Sequence, residues 1–120
     1  FDRQVFDERL FFEESLSAAR YAQKLAVASG CSISAQVSNA GYALSYVTAC
    51  GGIAAGSPVA NPSGGTYSAG NPQAVAVSSP GLNVTFDSLG SASGANTVRF
   101  GANAFSFTVH PSSGFIETTP

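Results

Sequence analysis

The sequence predicts an α+β fold in which one long N-terminal helix packs on an antiparallel β-sheet of about six or seven short strands. Nine of the twelve charged side chains lie between Asp2 and Lys24, in a stretch of helix-forming residues without Gly or Pro. Beyond it the chain turns to short runs of alternating apolar and polar residues, separated by clusters of Gly, Pro, Ser and Asn. Such alternation is typical of strands that bury one face. We therefore treat 1–30 as the helix and 31–120 as a β-rich body, together forming one domain.

The helix carries an apolar stripe and ends in a stop signal. Gly30 follows Ser29, and a glycine after the last turn commonly terminates a helix. At 100° per residue, the residues expected to face the body fall within about 60° of one line. They are Phe1, Val5, Phe12, Leu16, Ala19, Gln23, Ala26 and Val27.

Further apolar residues fall on the charged side of the helix: Phe6, Leu10, Tyr21 and Leu25. Single apolar residues at a surface need no explanation, so these residues can simply be scattered there. The alternative is that the outer face of the helix contacts other subunits, especially near its N-terminal end. The pairs Asp7-Glu8 and Glu13-Glu14 lie about 100° apart on the helix, and we expect their carboxylates to be solvated.

Residues 31–50 predict a β-hairpin. If Ala40-Gly41 forms a two-residue turn, Asn39 pairs with Tyr42. The same register puts one set of apolar side chains on a single face: Ile33, Val37, Leu44 and Tyr46. A three-residue Asn39-Ala40-Gly41 loop is the alternative, because alanine disfavours positive φ, and it would shift the register by one residue.

The two-residue turn brings Cys31 opposite Cys50, which predicts a disulfide formed in an oxidising compartment. Closing a loop of about twenty residues would stabilise the protein by roughly 3 kcal/mol. Two buried thiols in a reduced core are the alternative.

The remaining chain is a long loop followed by candidate strands. Residues 51–72 hold six Gly, three Pro and no charge, which is typical of a surface loop. Residues 91–96, which are small, are predicted to form a second loop. The candidate strands are 73–79, 82–88, 97–100, 104–110 and 115–117.

Residue types that carry catalysis are scarce. His110 is the single histidine, and its place beside Pro111 in an alternating run is typical of a strand residue. No nucleophile elbow, phosphate loop or dinucleotide motif occurs. After Lys24 the only carboxylate side chains are Asp87 and Glu117, too far apart in sequence to predict a paired acid and base. We expect no enzyme activity, no cofactor and no metal site.

Charge and hydropathy argue against two further classes. The net charge is −2 and the pI about 5.0, whereas nucleic-acid binders normally carry a basic stripe. The sequence has no run of eighteen apolar residues, so it predicts no membrane-spanning helix. Only 10% of residues are charged, against about a quarter in an average protein. So few charges are typical of proteins that are secreted or that pack against neighbours.

Several stretches, in this order, resemble one family. Phe12–Val27, with Ala18-Ala-Arg-Tyr-Ala-Gln-Lys24 inside it, resembles the later half of the long first helix of type IV pilin-like proteins and the A-R-x-x-A segment of FimT/GspH-type minor pilins and pseudopilins. The strand beginning at Cys31 and the Gly41-Tyr-Ala-Leu44 segment resemble the group's next two strands. Thr85-Phe-Asp-Ser-Leu-Gly90 resembles its T-F-D-x-x-G turn, and Phe105–Gly114 its closing hairpin.

The resemblance implies a type IV pilin-like fold and a protein anchored in the bacterial inner membrane before it enters a filament. The group's G-F-T-L-x-E start and hydrophobic first half-helix do not occur in this sequence, which begins at Phe1. The resemblance implies that such a segment precedes it and forms the anchor and filament core. Some FimT-type proteins bind DNA through arginines around a closing G-R-x-R turn. Here that turn is Gly114-Phe-Ile-Glu117, so DNA is not an expected partner.

These observations predict a non-enzymatic minor pilin or minor pseudopilin, in a type IV pilus or a type II secretion pseudopilus. Its partners would be other pilins or pseudopilins, and its place the inner membrane, with a periplasmic head, and then a periplasmic or extracellular filament. The expected subunit interface comprises Phe1, Val5, Phe6, Leu10 and Phe11. The alternative is a binding module in which loops 51–72 and 91–96 present a surface for DNA, carbohydrate or a host receptor.

Overall fold

The computed structural model describes residues 3–71, 73–78, 81–101 and 105–119, and this part of the chain forms one helix and eight strands. The helix, α1, spans Arg3–Ser29. The strands are β1 Ile33–Ser38, β2 Gly41–Tyr46, β3 Ser68–Ala69, β4 Leu82–Phe86, β5 Ala92–Ala95, β6 Thr97–Phe100, β7 Phe105–Val109 and β8 Ile116–Thr119. Phe1 lies outside the described residues, as do Ser79 and Ala104 at the ends of two candidate strands.

The strands form two antiparallel sheets, so the predicted α+β class is confirmed while the predicted single sheet is divided. One sheet has the order β3-β2-β1-β4-β5 and the other the order β6-β7-β8. Asn96 lies between β5 and β6 and joins the sheets: its carbonyl accepts from the Val109 N–H at 2.8 Å, and its side-chain amide donates to the Val109 carbonyl at 3.1 Å. Both sheets contribute side chains to one core that the helix covers.

The buried face of α1 is aromatic at one end and built of small residues at the other. Phe12 packs among Phe100, Phe105 and Phe107 of the second sheet, with ring centroids 5.5–6.2 Å away. Toward the C-terminal end the buried positions hold small side chains, which let the helix backbone lie close to the first sheet. These positions are Ser15, Ala18, Ala19, Ala22 and Ala26.

The apolar stripe was placed about 50° away from the observed buried face. Phe12, Leu16, Ala19 and Ala26 are buried as predicted, but Val5 and Val27 are half exposed. The prediction weighted valines over alanines and serine, whereas close packing on a sheet favours the smallest side chains. The rotation also buries Glu8, whose carboxylate accepts a hydrogen bond from Gln4 Nε2 at 3.2 Å, so the expectation that Glu8 is solvated is wrong.

The β1–β2 hairpin forms, but in a register that neither alternative anticipates. Ser38 pairs with Gly41 across an Asn39-Ala40 loop, and Ile33 pairs with Tyr46. The shift from the preferred register is two residues, which keeps the same side chains on the same face. Gly41, at φ 128°, opens β2, where a Cβ atom would collide with the Ala69 carbonyl oxygen of β3.

The segment predicted as the 51–72 loop follows the outer edge of β2. Tyr46 N–H donates to Ser57 at 2.9 Å, Val59 N–H to Leu44 at 3.0 Å, and Leu44 N–H to Tyr67 at 3.1 Å. Val59, within this segment, is buried, and the segment leads into β3. The segment therefore covers an edge that would otherwise present unpaired backbone groups.

Four of the later strand predictions are confirmed, in β4, β6, β7 and β8. Two predictions are wrong. Residues 73–78 form no strand and make a single bridge, from Val77 to Phe100, with Ala74 at φ 51°. Residues 92–95, predicted within a loop, form β5 beside β4, because a strand of small residues carries little alternation to detect.

Candidate functional site

An apolar surface lies on the outer side of the N-terminal half of α1. Phe6 and Leu10 are each about half exposed (49% and 47%), and we call them the N-terminal apolar face. Val5 is also 47% exposed, but it lies about 140° from Leu10 around the helix. Arg3, which is exposed, and Asp7, which is partly buried, form an ion pair at 4.0 Å beside this face. The helix in the described part of the chain is not apolar enough to cross a membrane.

The N-terminal apolar face borders a groove of about 240 Å³ between α1 and Gly70, Asn71, Gln73 and Val75. Its apolar lining comes from Phe6, Leu10, Phe11 and Val75, and its polar rim includes Asp7, Glu14 and Asn71. We call it the helix groove. An apolar floor with a polar rim is the arrangement that protein-binding surfaces share.

Phe11, which was predicted to contribute to the subunit interface, is largely buried. It is only 5% exposed, and its ring meets Phe100 edge to face at 5.6 Å and Tyr42 at 6.2 Å. The rotation of the helix turns Phe11 into the protein's own core, where it forms the floor of the helix groove. Of the other residues predicted for the interface, Val5, Phe6 and Leu10 are exposed, and Phe1 lies outside the described residues.

Two asparagines fix the far wall of the helix groove. The Asn71 side chain donates to the Val75 carbonyl at 2.8 Å and accepts from the Val75 N–H at 3.0 Å. Asn39 Oδ1 accepts from the Val77 N–H at 2.9 Å, and its carbonyl accepts from Asn71 Nδ2 at 3.1 Å. Because side-chain bonds replace strand pairing here, the wall is held without a strand. In the sequence these two residues are indistinguishable from ordinary turn asparagines.

The predicted disulfide between Cys31 and Cys50 is present. The two Cα atoms are 6.0 Å apart, within the usual range for such bonds. The expected reason for it is wrong, since the observed ladder does not place these residues opposite each other. The last hydrogen bond between the two strands runs from the Val47 N–H to the Ser32 carbonyl, at 3.0 Å. Cys50 pairs with Ile53 instead, through two backbone hydrogen bonds of 2.8 Å. The disulfide therefore ties the end of α1 to the start of the segment along the β2 edge.

Reduction of this disulfide is expected to lower the free energy of unfolding by about 3 kcal/mol, because the unfolded chain regains the entropy of a loop of about twenty residues. Urea unfolding with and without a reductant measures the loss. The double variant Cys31→Ser/Cys50→Ser should behave like the reduced protein and be insensitive to reductant. Two alkylatable thiols in the native protein would contradict the prediction.

Gln23, Asp87, Gly90 and Gly114 meet where the helix reaches both sheets. Gln23 Nε2 donates to the carbonyls of Gly90, at 3.1 Å, and Ser113, at 3.3 Å. Asp87 closes the turn after β4, and a Cβ atom on Gly114 would collide with the Gly90 carbonyl oxygen. We call this contact the glycine junction. It brings together residues from three of the stretches that carry the family resemblance.

Two tyrosines titrate above the usual range. Partial burial raises the pKa of Tyr42, with a smaller contribution from the negative charge of Glu14. Partial burial also raises the pKa of Tyr67, with a smaller effect of Tyr21, whose ring stacks on it at 4.9 Å.

Because the pKa values of Tyr42 and Tyr67 are raised in the folded protein, the free energy of unfolding decreases at alkaline pH. The unfolded tyrosine ionises near 10.0, before the folded one, so the contribution of Tyr42 and Tyr67 is complete below that pH and is lost as the pH rises above it. We expect the urea concentration at the unfolding midpoint to decrease as the pH is raised above 10. The variant Tyr42→Phe/Tyr67→Phe should show a smaller alkaline decline, and an equal decline would contradict the assignment.

The described residues contain no group of three or more His, Cys, Asp or Glu side chains arranged to hold a metal ion. His110 lies at the end of β7, and its Nε2 is 2.8 Å from Glu117 Oε1 in an exposed pair.

Comparison with known protein families, with curated proteins and with solved structures finds no match to this chain.

Proposed function

We propose that this chain is a non-enzymatic filament subunit of type IV pilin-like architecture, either a minor pilin of a type IV pilus or a minor pseudopilin of a type II secretion system. The observation that carries the proposal is the N-terminal apolar face. A helix whose one side is buried on its own sheets leaves Phe6 and Leu10 about half exposed on another side. Apolar residues grouped beside a groove mark a contact surface more often than single exposed ones do.

The architecture supports the same proposal. A single long N-terminal helix lies on antiparallel sheets, as the resemblance implies for a pilin-like protein. The glycine junction gives a structural reason for three of the matching stretches, because Gln23, the Asp87–Gly90 turn and Gly114 depend on one another for close packing.

In this proposal the protein acts by packing. The N-terminal apolar face contacts neighbouring pilins or pseudopilins, and the β-rich body faces outward. Before assembly the protein is held at the bacterial inner membrane, with its body in the periplasm. An oxidising compartment suits the Cys31–Cys50 disulfide.

Deletion of the gene, followed by complementation, tests the proposal. We expect the deletion to reduce the number of surface filaments or the amount of secreted protein, and the wild-type gene to restore it. Leu10→Lys should fail to restore it, because it puts a charge into the contact. Ile53→Lys makes the same change at another exposed apolar residue, in the segment that follows the outer edge of β2, and should restore it. If deletion changes neither filament number nor secretion, the proposal is wrong.

A further inference from the structure

Two tyrosine rings stack on each other where α1 meets the segment that follows the outer edge of β2. Tyr21 lies on α1, and Tyr67 directly precedes β3. Their ring centroids are 4.9 Å apart, and their ring planes differ by 19°. Among the ring pairs of the described residues this is the closest and the most nearly parallel one. We call Tyr21 and Tyr67 the tyrosine pair.

The fold holds both members of the tyrosine pair in place. The Tyr67 N–H donates to the Val59 carbonyl at 2.7 Å, and the Tyr67 carbonyl accepts from the Leu44 N–H at 3.1 Å. Tyr21 lies on the helix between Ala19 and Ala22, both of which are completely buried. Both tyrosine rings are partly buried and pack against the core. Because neither backbone is free to move away, the two rings stay next to each other.

The two hydroxyl groups lie at the same end of the stack. Burial raises the pKa of Tyr67, and the charge of an ionised Tyr21 raises it further. A charge exerts such an effect only over a short distance. The two phenol oxygens are therefore near each other, and so are the Cε atoms that adjoin them on each ring. These are the carbon atoms through which phenols join when they are oxidised.

Oxidation of the tyrosine pair to one cross-linked product is a balanced reaction. A one-electron oxidant removes an electron from each phenol, and each hydroxyl loses its proton, which leaves two phenoxyl radicals. Their unpaired electrons form a bond between a Cε of Tyr21 and a Cε of Tyr67. Each bonded Cε then loses its hydrogen as a proton while its ring oxygen takes up a proton, which restores two aromatic phenols. Hydrogen peroxide, acting through a peroxidase, accepts the two electrons and two protons and becomes two molecules of water.

We propose that the tyrosine pair is an oxidative cross-linking site, at which a peroxide-dependent one-electron oxidant joins Tyr21 to Tyr67 as dityrosine. The two rings are already in contact, so their reaction is intramolecular and needs no encounter between molecules. Tyr42 is a poorer partner, because its ring is 6.5 Å from that of Tyr67 and inclined to it by 60°. The inference goes beyond the proposed function and does not depend on it.

The cross-link gives the segment along the β2 edge a second covalent tie. The Cys31–Cys50 disulfide holds the start of that segment to the end of α1. A bond between Tyr67 and Tyr21 holds the end of the segment, just before β3, to α1 itself. Both ends of the segment are then bonded to the helical part of the chain.

Treatment of the dilute, folded protein with a haem peroxidase and hydrogen peroxide tests the inference. The monomer should gain dityrosine fluorescence, and its mass should fall by that of two hydrogen atoms. Tyr21→Phe and Tyr67→Phe should each abolish this fluorescence in the monomer, because phenylalanine keeps the ring but has no hydroxyl to oxidise. Tyr42→Phe and Tyr46→Phe are the matched controls, since they remove the same oxygen outside the tyrosine pair and should react like wild type.

Far-UV circular dichroism verifies that each variant is folded. A wild-type monomer that forms no dityrosine, a product found only between molecules, or a monomer product that persists when Tyr21 or Tyr67 is replaced would overturn the inference. An equal loss of the product in Tyr42→Phe or Tyr46→Phe would overturn it too. None of these outcomes changes the result expected from gene deletion, so this inference and the proposed function can fail separately.

Discussion

Phe12→Ala is expected to lower the free energy of unfolding by about 3–5 kcal/mol, the usual cost of removing a buried phenylalanine. Phe12 is 4% exposed, and its ring packs against Phe100, Phe105 and Phe107 of the second sheet. The substitution therefore leaves a cavity where the helix holds that sheet. The shift of the urea unfolding midpoint, at an unchanged slope, measures the loss.

Leu10→Ala is the matched control on the same helix, two positions earlier. Leu10 is about half exposed, so its truncation should cost less than about 1 kcal/mol. Similar losses for the two variants would mean that the helix does not bury the face described here.

Gly114→Ala is expected to destabilise the protein by about 3–4 kcal/mol, by two separate effects. Gly114 has φ 69°, a conformation that costs an L-residue roughly 1–2 kcal/mol. Its Cβ atom would in addition collide with the Gly90 carbonyl oxygen and Gln23 Nε2. Relieving the collision opens the glycine junction and breaks the hydrogen bonds that Gln23 donates there.

Gly65→Ala separates the two effects. Gly65 has nearly the same φ, 70°, but nothing lies within 4 Å of its Cβ position. It should therefore lose about 1–2 kcal/mol, the backbone cost alone. Chemical denaturation of both variants gives the comparison. Equal losses would show that the close approach at the junction contributes nothing.

The fold class could be predicted from patterns that are visible in the sequence itself. The charged N-terminal stretch without Gly or Pro becomes α1, ended by Gly30 at φ 73°, and alternating runs become β1, β2, β4 and β7. The orientation of the helix was predicted less well. The predicted buried face included Val5 and Val27 because valine is more apolar than alanine or serine. Close packing of a helix on a sheet instead favours the smaller side chains.

Pairing details depend on contacts made across long distances in the chain. Gly41 looks like a turn residue, but it opens β2 because β3 passes too close for a side chain. The Cys31–Cys50 pair was predicted from a register that does not occur, because the chain reverses after Val47 and brings Cys50 back.

The candidate site could be anticipated only in part. Val5, Phe6 and Leu10 stand out in the sequence because apolar residues interrupt a charged stretch. The walls of the helix groove could not be foreseen, since Asn39 and Asn71 hold residues 75–77 in place across the fold.

Cross-linking inside assembled filaments tests the central claim most directly. A photoreactive amino acid replaces Leu10 in the full-length protein, and filaments are isolated after illumination of the cells. A filament subunit should give adducts with other pilin-like subunits from position 10, and far fewer from the matched position 53, in the segment that follows the outer edge of β2. The absence of the protein from the filaments, or equal adducts from both positions, would contradict the account.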